Sequence, residues 1–272
     1  MKQLHGTELA LYIKERQAKQ VRNLRQALYI FPKLAIIQTV DSPVIDTYVR
    51  LKKKYGEDIL VAVDSYKLTE NEALVKVHEL NEDPTVHGII IQLPLADTTR
   101  TDQFLNAVMP AKDVDALGDQ AVLDPATPMA INWLLAGHNI NLQGKRIVLV
   151  GHGRLVGAPL ARMWRHSGYD VTVLDEHSGD IAPVVQASDV VVSAAGVPGL
   201  ISSRMVRPGA VVVDAATASE GGKIIGDVAA DVRARNDVVM TPEKGGVGPL
   251  TVAALFDNVI RAARSSAEPP TI

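Results

Sequence analysis

The residues best suited to chemistry form a glycine loop between a short apolar strand and a helical pattern. The run Arg146–Val150 leads directly into Gly151, Gly153 and Gly157. Glycines permit a tight turn and a close approach of the backbone, and the free N–H groups at the start of the next helix can bind a pyrophosphate. Compared with the standard G-x-G-x-x-G, one extra residue precedes the third glycine. The loop alone therefore does not decide whether this is a dinucleotide site.

An acidic residue after the next apolar run supports a dinucleotide site. The run Val171–Leu174 ends at Asp175, 24 residues after Gly151, close to the offset of about 20 residues at which a carboxylate binds the ribose. Such a carboxylate accepts hydrogen bonds from a free 2′-hydroxyl and repels a 2′-phosphate, so Asp175 favours NAD over NADP. The alternative is a solvated loop acid. His152 and Arg154 either contact phosphate or face solvent.

Polar side chains elsewhere have both a functional and a plain structural interpretation. Gln92 follows three isoleucines at the end of a predicted strand, where a polar group must find a buried partner or line a site. Lys52 begins a run of three lysines, which by type alone is most often a solvated helix face. Asp113 and Asp115 could be ordinary turn acids, and Tyr48 could belong to the core.

Short apolar runs alternate with amphipathic stretches along the chain, a pattern typical of a parallel sheet covered by helices. In the first half the predicted strands are 33–39, 58–63 and 87–93, and the helical stretches are 7–28, 44–55 and 68–81. In the second half the predicted strands are 146–150, 171–174, 189–193, 210–213 and 237–240, followed by a helix over 250–264. The acidic segment 113–127 breaks the pattern and indicates a boundary.

Composition excludes several classes of function. With 47% hydrophobic and 22% charged residues in 272, the chain is expected to fold into a sizeable core. A net charge of −3 gives no basic surface for nucleic acid. Cysteine is absent, which excludes disulfides, a thiolate nucleophile and a cysteine-ligated metal, and no metal is expected. No apolar run approaches the roughly 18 residues of a membrane span, so we expect no membrane association and a cytoplasmic location.

Seven segments occur in the order of one known family across nearly the whole chain. They are 48–54 (YVRLKKK), 88–95 (GIIIQLPL), 112–115 (KDVD), 127–128 (TP), 151–159 (GHGRLVGAP), 226–228 (GDV) and 245–253 (GGVGPLTVA). In this set the chain resembles the bifunctional methylenetetrahydrofolate dehydrogenase/cyclohydrolases of one-carbon metabolism. An ordered set of this kind is far more specific than any single motif.

The resemblance implies a two-domain α/β fold. An N-terminal three-layer α/β domain, residues 1–120 completed by 252–272, would bind folate and carry the catalytic residues. A Rossmann-type NAD(P)-binding domain would span 121–251, with the folate cleft between the domains and the C-terminal helix returning to the first domain. The implied activity is oxidation of 5,10-methylenetetrahydrofolate by hydride transfer to NAD(P), with hydrolysis of the methenyl product to 10-formyltetrahydrofolate. A homodimer is also implied.

The resemblance also assigns roles to individual residues. Lys52 would be the catalytic lysine, Gln92 its hydrogen-bonding partner, Tyr48 the ring against the folate, and Asp115 the carboxylate that binds the pterin. Tyr48 and Lys52 are four residues apart on a predicted helix, so they project from one face. A lysine shielded from water has a lowered pKa and can exchange protons near neutrality. Further expected contacts are Leu93, Gly248 and Pro249 to the folate and Thr217 to the dinucleotide.

Several positions depart from the family pattern. Ile45 replaces a serine, Ala116 replaces the glycine of KDVDG, and Gly153 replaces the serine of G-x-S. Asp175 and Glu176 stand where NADP-using members carry a His-Ser pair, and 214–217 (DAAT) replaces D-V-G-I. The changes at Gly153 and at 175–176 favour NAD, whereas Ile45 and Ala116 alter the folate cleft. Two alternatives stay open: an NAD-dependent dehydrogenase of another small substrate, or a non-catalytic paralogue that binds folate or dinucleotide.

Overall fold

The computed structural model describes residues 2–216, 218–220 and 223–267. These residues divide into two compact units. Unit 1 contains the chain up to Ala10 together with Thr127–Thr251, and unit 2 contains Leu11–Ala126 together with the chain from Val252 onward. The expected α/β architecture, with two domains and parallel sheets, is confirmed.

The helices and strands follow one another in the predicted alternation. In chain order the helices are α1 (Thr7–Ala27), α2 (Pro43–Asp58), α3 (Glu70–Glu82), α4 (Thr101–Ala107), α5 (Ala126–Gly137), α6 (Gly157–His166), α7 (Ala182–Ala187), α8 (Ala230–Arg233) and α9 (Val247–Ser265). The strands are β1 (Lys2–Gln3), β2 (Lys33–Gln38), β3 (Ala62–Lys67), β4 (Gly88–Gln92), β5 (Ile147–Val150), β6 (Val171–Leu174), β7 (Val190–Ser193), β8 (Val211–Asp214), β9 (Ala218–Glu220), β10 (Lys223–Ile225) and β11 (Val239–Met240). No helix in these described ranges is long and apolar enough to cross a membrane.

Unit 2 contains a parallel sheet in the order β3-β2-β4. Alternate residues of β2 and β4, such as Ile37 and Ile91, pack against Ala73 and Val77 of α3 and Phe104 of α4. The residues between them, which point to the opposite face, are also buried. Helices therefore cover both faces, as a three-layer domain requires. Residues 38 and 92 are paired in register, so β2 and β4 end side by side.

The strand expected over 58–63 is placed wrongly by the sequence pattern. In the structure α2 continues to Asp58, and β3 begins only at Ala62. Ile59 and Val61 are buried in the turn between them, and Leu60 has a left-handed backbone with φ of 65°. The apolar run fills the core beneath a turn, whereas β3 is a polar edge strand whose sequence gives a weak signal.

Unit 1 contains a six-stranded parallel sheet in the order β1-β11-β8-β7-β5-β6. From β5 the chain proceeds to β6 on one side and then to β7 on the other, so the order reverses at β5. In open α/β sheets ligands bind beyond the carboxyl ends of the strands at such a point. The fold thus places the glycine loop after β5 at the expected position for a dinucleotide.

Residues 2–10 lie in unit 1, although the predicted folate domain 1–120 includes them. Strand β1 pairs with β11 in parallel, and the N–H of Leu4 donates to the carbonyl of Met240 at 2.8 Å. A strand of two residues is too short to show a hydrophobic period, so no sequence pattern indicated this pairing.

The last helix, α9, begins three residues before its predicted start and includes Gly248 and Pro249 in its first turn. From Val252 to its end the helix belongs to unit 2. Gln17 donates to the carbonyl of Ala253 at 2.8 Å, and the rings of Tyr55 and Phe256 stack with centroids 4.9 Å apart. The expected return of the C-terminal helix to the first domain is therefore observed.

Candidate active site

A lysine and a glutamine from two neighbouring elements of unit 2 are joined by a direct hydrogen bond. Lys52 Nζ on α2 donates to Gln92 Oε1, the last residue of β4, at 2.8 Å. Gln92 Nε2 donates to the carbonyl of Leu93 at 3.3 Å, which turns the amide oxygen towards the lysine. The amide can thus orient the amine, and the predicted pairing of Lys52 with Gln92 is present in the geometry.

Helix α2 fixes the direction of Lys52. It starts with proline at its first position, where a missing N–H costs nothing. Val49 and Ile45 are buried and anchor one side of the helix. Tyr48 is partly exposed and lies one turn before Lys52 on the same face, as the spacing predicts. Ile45 is a core residue here, in the place where the family carries a serine.

Lys52 and Asp115 form an electrostatic pair. Burial lowers the pKa of the Lys52 amine, and the Asp115 carboxylate opposes this effect by raising it. Burial raises the pKa of Asp115, and Lys52 partly offsets that change. The structure therefore brings Lys52, Gln92 and Asp115 into one electrostatic environment in which the amine loses its proton more easily than a solvated lysine.

The segment that carries Asp115 is anchored by the two residues before it. Lys112 Nζ donates to the carbonyls of Leu80, Asn81 and Asp83 at 2.7 to 2.9 Å and so caps the C-terminal end of α3. The buried Asp113 carboxylate accepts the N–H groups of residues 116 and 118 at 2.9 and 2.8 Å. Asp113 is therefore a structural turn acid, as one of the two interpretations predicts.

A third anchor was missed by sequence reasoning. Asn258 on α9 is fully buried, and its Nδ2 donates to the carbonyls of Val114 at 2.9 Å and Asp124 at 2.8 Å. The backbone around Asp115 is therefore held by hydrogen bonds before it, at the carbonyl of Val114, and after it, at the N–H of Ala116. The polar pair Asp257 and Asn258, which interrupts the apolar stretch 253–260, was the available signal.

Ala116 explains why the family has a glycine next to Asp115. Its φ is 56°, a left-handed conformation that strains a residue with a Cβ. We expect Ala116→Gly to raise the free energy of unfolding by about 1 kcal/mol, the relief of strain less the entropy gained by the unfolded chain. Urea unfolding measures the change. The exposed Ala111 lies outside the left-handed region, so Ala111→Gly should not stabilise; equal gains at both positions would contradict the strain.

The glycine loop of unit 1 fits a dinucleotide. Gly151 has φ of 100°, and a Cβ there would lie 2.5 Å from the carbonyl oxygen of Ala194. A Cβ on Gly157 would lie 1.9 Å from the carbonyl oxygen of Gly151. Gly153 faces open space with no atom within 4 Å of its Cβ position. The loop leads into the N-terminus of the ten-residue α6, whose dipole favours an anion. The N–H of Ala158 already donates to the carbonyl of Gly153 at 3.1 Å, and Pro159 has no N–H.

Asp175 lies at the end of β6 as predicted and is held by its own turn. Its Oδ1 accepts Ser178 Oγ at 2.9 Å and the N–H of His177 at 3.0 Å. These two hydrogen bonds, that from Ser178 first, lower the pKa of Asp175, so the carboxylate is anionic at neutral pH. The exposed His152 is near enough to Asp175 to contribute to the lowering of its pKa.

The remaining predicted site residues are placed as follows. Arg154 is exposed beside the glycine loop, and Leu93 is half-buried immediately after Gln92. Gly248 is exposed and Pro249 partly exposed, at the start of α9. Thr217 lies outside the described residues.

Comparisons with known proteins match the two parts of the chain to two domains of one family. Residues 4–115 match the tetrahydrofolate dehydrogenase/cyclohydrolase catalytic domain, and residues 125–267 match the NAD(P)-binding domain of the same family. The bifunctional protein FolD of Campylobacter jejuni is 35% identical over 277 residues, which cover 96% of this chain and 98% of that protein. FolD of Heliobacterium modesticaldum is 36% identical over 271 residues, covering 94% of each.

Two solved structures share the whole fold. The FolD methylenetetrahydrofolate dehydrogenase/cyclohydrolase of Campylobacter jejuni has a TM-score of 0.91 at 34% identity, covering 97% of this chain and 99% of that one. The enzyme of Trypanosoma brucei, solved with NADP and an inhibitor, has a TM-score of 0.91 at 31% identity, covering 97% of this chain and 98% of that one.

Proposed function

The chain belongs to the tetrahydrofolate dehydrogenase/cyclohydrolase family, and we propose from this that it oxidises 5,10-methylenetetrahydrofolate and hydrolyses the methenyl product to 10-formyltetrahydrofolate. The observation that carries this proposal is the 2.8 Å hydrogen bond between Lys52 and Gln92 beside the charge of Asp115. Two relatives of known structure, those of Campylobacter jejuni and Trypanosoma brucei, are described as methylenetetrahydrofolate dehydrogenase/cyclohydrolases.

The proposed role of Lys52 is that of a general base in the hydrolysis. Its neutral amine accepts a proton as water attacks the methenyl carbon, and a new C–O bond forms. The bond from that carbon to N5 then breaks while the added hydroxyl loses its proton and becomes the carbonyl oxygen. N5 receives a proton, and the carbon stays on N10 as a formyl group. Gln92 Oε1 holds the amine in place throughout. Burial supports this role because it lowers the pKa of Lys52 towards the range in which general bases work.

Tyr48 and Asp115 would position the folate. The Tyr48 ring offers a flat apolar face one turn from Lys52, and Asp115 accepts N–H groups of the pterin. Leu93, Gly248 and Pro249 remain proposed folate contacts, and Thr217 remains a proposed dinucleotide contact.

The oxidation needs a hydride acceptor, which a bound nicotinamide dinucleotide supplies. The backbone of Gly151, Gly153 and Gly157 and the start of α6 would hold its pyrophosphate. Asp175 would accept hydrogen bonds from the adenosine ribose, and its negative charge disfavours a 2′-phosphate. We therefore propose NAD as the preferred cofactor. We also propose a homodimer, which the family resemblance implies, and a cytoplasmic location, which is expected from the sequence composition.

Two assays on the purified protein test the proposed function. Methenyltetrahydrofolate hydrolysis is followed without any dinucleotide, and methylenetetrahydrofolate oxidation is followed with one. Turnover in both is the expected result. Dinucleotide binding with no turnover of any reduced folate would instead favour a dehydrogenase of another substrate.

The pH dependence of hydrolysis should depend on Asp115. The rate rises with pH as Lys52 loses its proton, and the Asp115 charge holds that pKa higher than burial alone would. Removing the charge in Asp115→Asn should therefore lower the pKa, so that the rise in kcat occurs at lower pH. The pH profile at saturating folate measures this shift. Asp119→Asn, in an exposed acid of the same segment, is the control with no shift; an unchanged or raised midpoint in Asp115→Asn would refute the coupling.

A further inference from the structure

A buried carboxylate in unit 1 organises the loop that follows β7. Asp227 is fully buried and accepts four hydrogen bonds. Its Oδ2 accepts Ser193 Oγ and the N–H of Ala195, each at 2.7 Å, and the N–H of Gly196 at 3.3 Å. Its Oδ1 accepts the N–H of Val197 at 2.8 Å. One side chain therefore fixes three consecutive peptides at the carboxyl end of a central strand.

This loop lies directly against the glycine loop. A Cβ on Gly151 would lie 2.5 Å from the carbonyl oxygen of Ala194 and 2.7 Å from the nitrogen of Ala195. Strands β5 and β7 are neighbours, and the order of the sheet reverses at β5. The peptides held by Asp227 thus form one wall at the sheet edge where the glycine loop forms the other. Any displacement of residues 195–197 changes the width of the space between them and the glycine loop.

A second carboxylate fixes Asp227 itself. Asp214, at the end of β8, accepts the N–H groups of Asp227 and Val228 at 3.1 and 3.2 Å. Arg233 pairs with Asp214 at 2.6 Å and compensates its charge. A Cβ on Gly226 would lie 1.9 Å from Asp214 Oδ2, so the approach of the two segments requires glycine there. This contact explains the GDV motif at 226–228.

We propose that Asp227 is a positioning residue for the dinucleotide. By accepting the N–H groups of residues 195–197, it directs those donors into the protein and away from the ligand. The pyrophosphate is then bound by the glycine loop and the start of α6. The wall formed by residues 195–197 stays at the distance from the glycine loop that the dinucleotide requires. This inference rests on the proposed function of unit 1.

The test is Asp227→Asn, which keeps the size of the side chain but places an NH₂ group among donors. The KM for NAD in methylenetetrahydrofolate oxidation should rise about 10-fold or more, since small misplacements at a binding site are costly. The Kd for NAD, measured by calorimetric titration, should rise in parallel. The kcat of methenyl hydrolysis, which uses residues of unit 2 and no dinucleotide, should be unchanged. Ser193→Ala removes one donor to the same carboxylate and should raise the KM less.

Val185→Ala is the control for a purely structural role. It opens a cavity in the core of unit 1 at a fully buried position, so it should lower Tm without changing the KM for NAD. If the Asp227 and Ser193 variants lower Tm but keep the wild-type KM and Kd for NAD, the inference is wrong. The Kd of the wild-type protein for NAD is measured first. If the wild-type protein binds no dinucleotide, the proposed function is contradicted, whatever the variants do.

Discussion

Replacing Lys52 by methionine should lower the rate of methenyltetrahydrofolate hydrolysis by about 100-fold or more, the usual contribution of a positioned general base. Methionine keeps the length and apolar contacts of the side chain but cannot accept a proton. The folate contacts proposed for Tyr48 and Asp115 do not involve the amine. Binding of reduced folate, measured by fluorescence titration, should therefore change little while hydrolysis, followed by loss of the methenyl absorbance, nearly disappears.

The neighbouring lysine provides the matched control. Lys53 is next in the same run and is exposed, whereas Lys52 donates to Gln92. Lys53→Met should hydrolyse the substrate at the wild-type rate. Hydrolysis that survives in Lys52→Met, or falls equally in both variants, would remove Lys52 from the proposed role.

The second large effect concerns the cofactor. Asp175→Ser removes the charge that disfavours a 2′-phosphate and replaces it with a hydrogen-bond donor. The ratio of kcat/KM for NAD to that for NADP should fall by about 10- to 100-fold, because a repulsion between close charges is lost and a ribose contact with it. Steady-state kinetics with each dinucleotide measures the ratio.

Glu176 is the control for this substitution. It is an exposed acid beside Asp175, but its carboxylate contacts only the side chain of His177 among the described residues, at 3.5 Å. Asp175 is instead fixed at the strand end by its own turn. Glu176→Gln should therefore change the ratio much less. An equal effect of the two substitutions would indicate a general surface charge rather than a ribose contact.

The sequence predicted the features that depend on local order along the chain. Alternating apolar runs gave the parallel sheets, and the glycine spacing with Asp175 indicated the dinucleotide loop. The family motifs predicted that Lys52 and Gln92 meet, although 40 residues separate them. A short motif can carry such long-range information only because its relatives share the fold.

The features that escaped prediction depend on contacts between distant segments. Asn258 reaches Val114 across 144 residues, and Asp227 reaches Ser193 across 34. Neither residue type reveals its partner in a single sequence. The position of β3 was also missed, because the buried Ile59 and Val61 resemble a strand although they belong to a turn.

The most direct test of the account is the oxidation of 5,10-methylenetetrahydrofolate by the wild-type protein with NAD and, separately, with NADP. We predict that the folate is oxidised when a dinucleotide is present, and that kcat/KM is higher with NAD than with NADP. A higher kcat/KM with NADP would contradict the role of Asp175, and no reduction of either dinucleotide in the presence of the folate would contradict the proposed function itself.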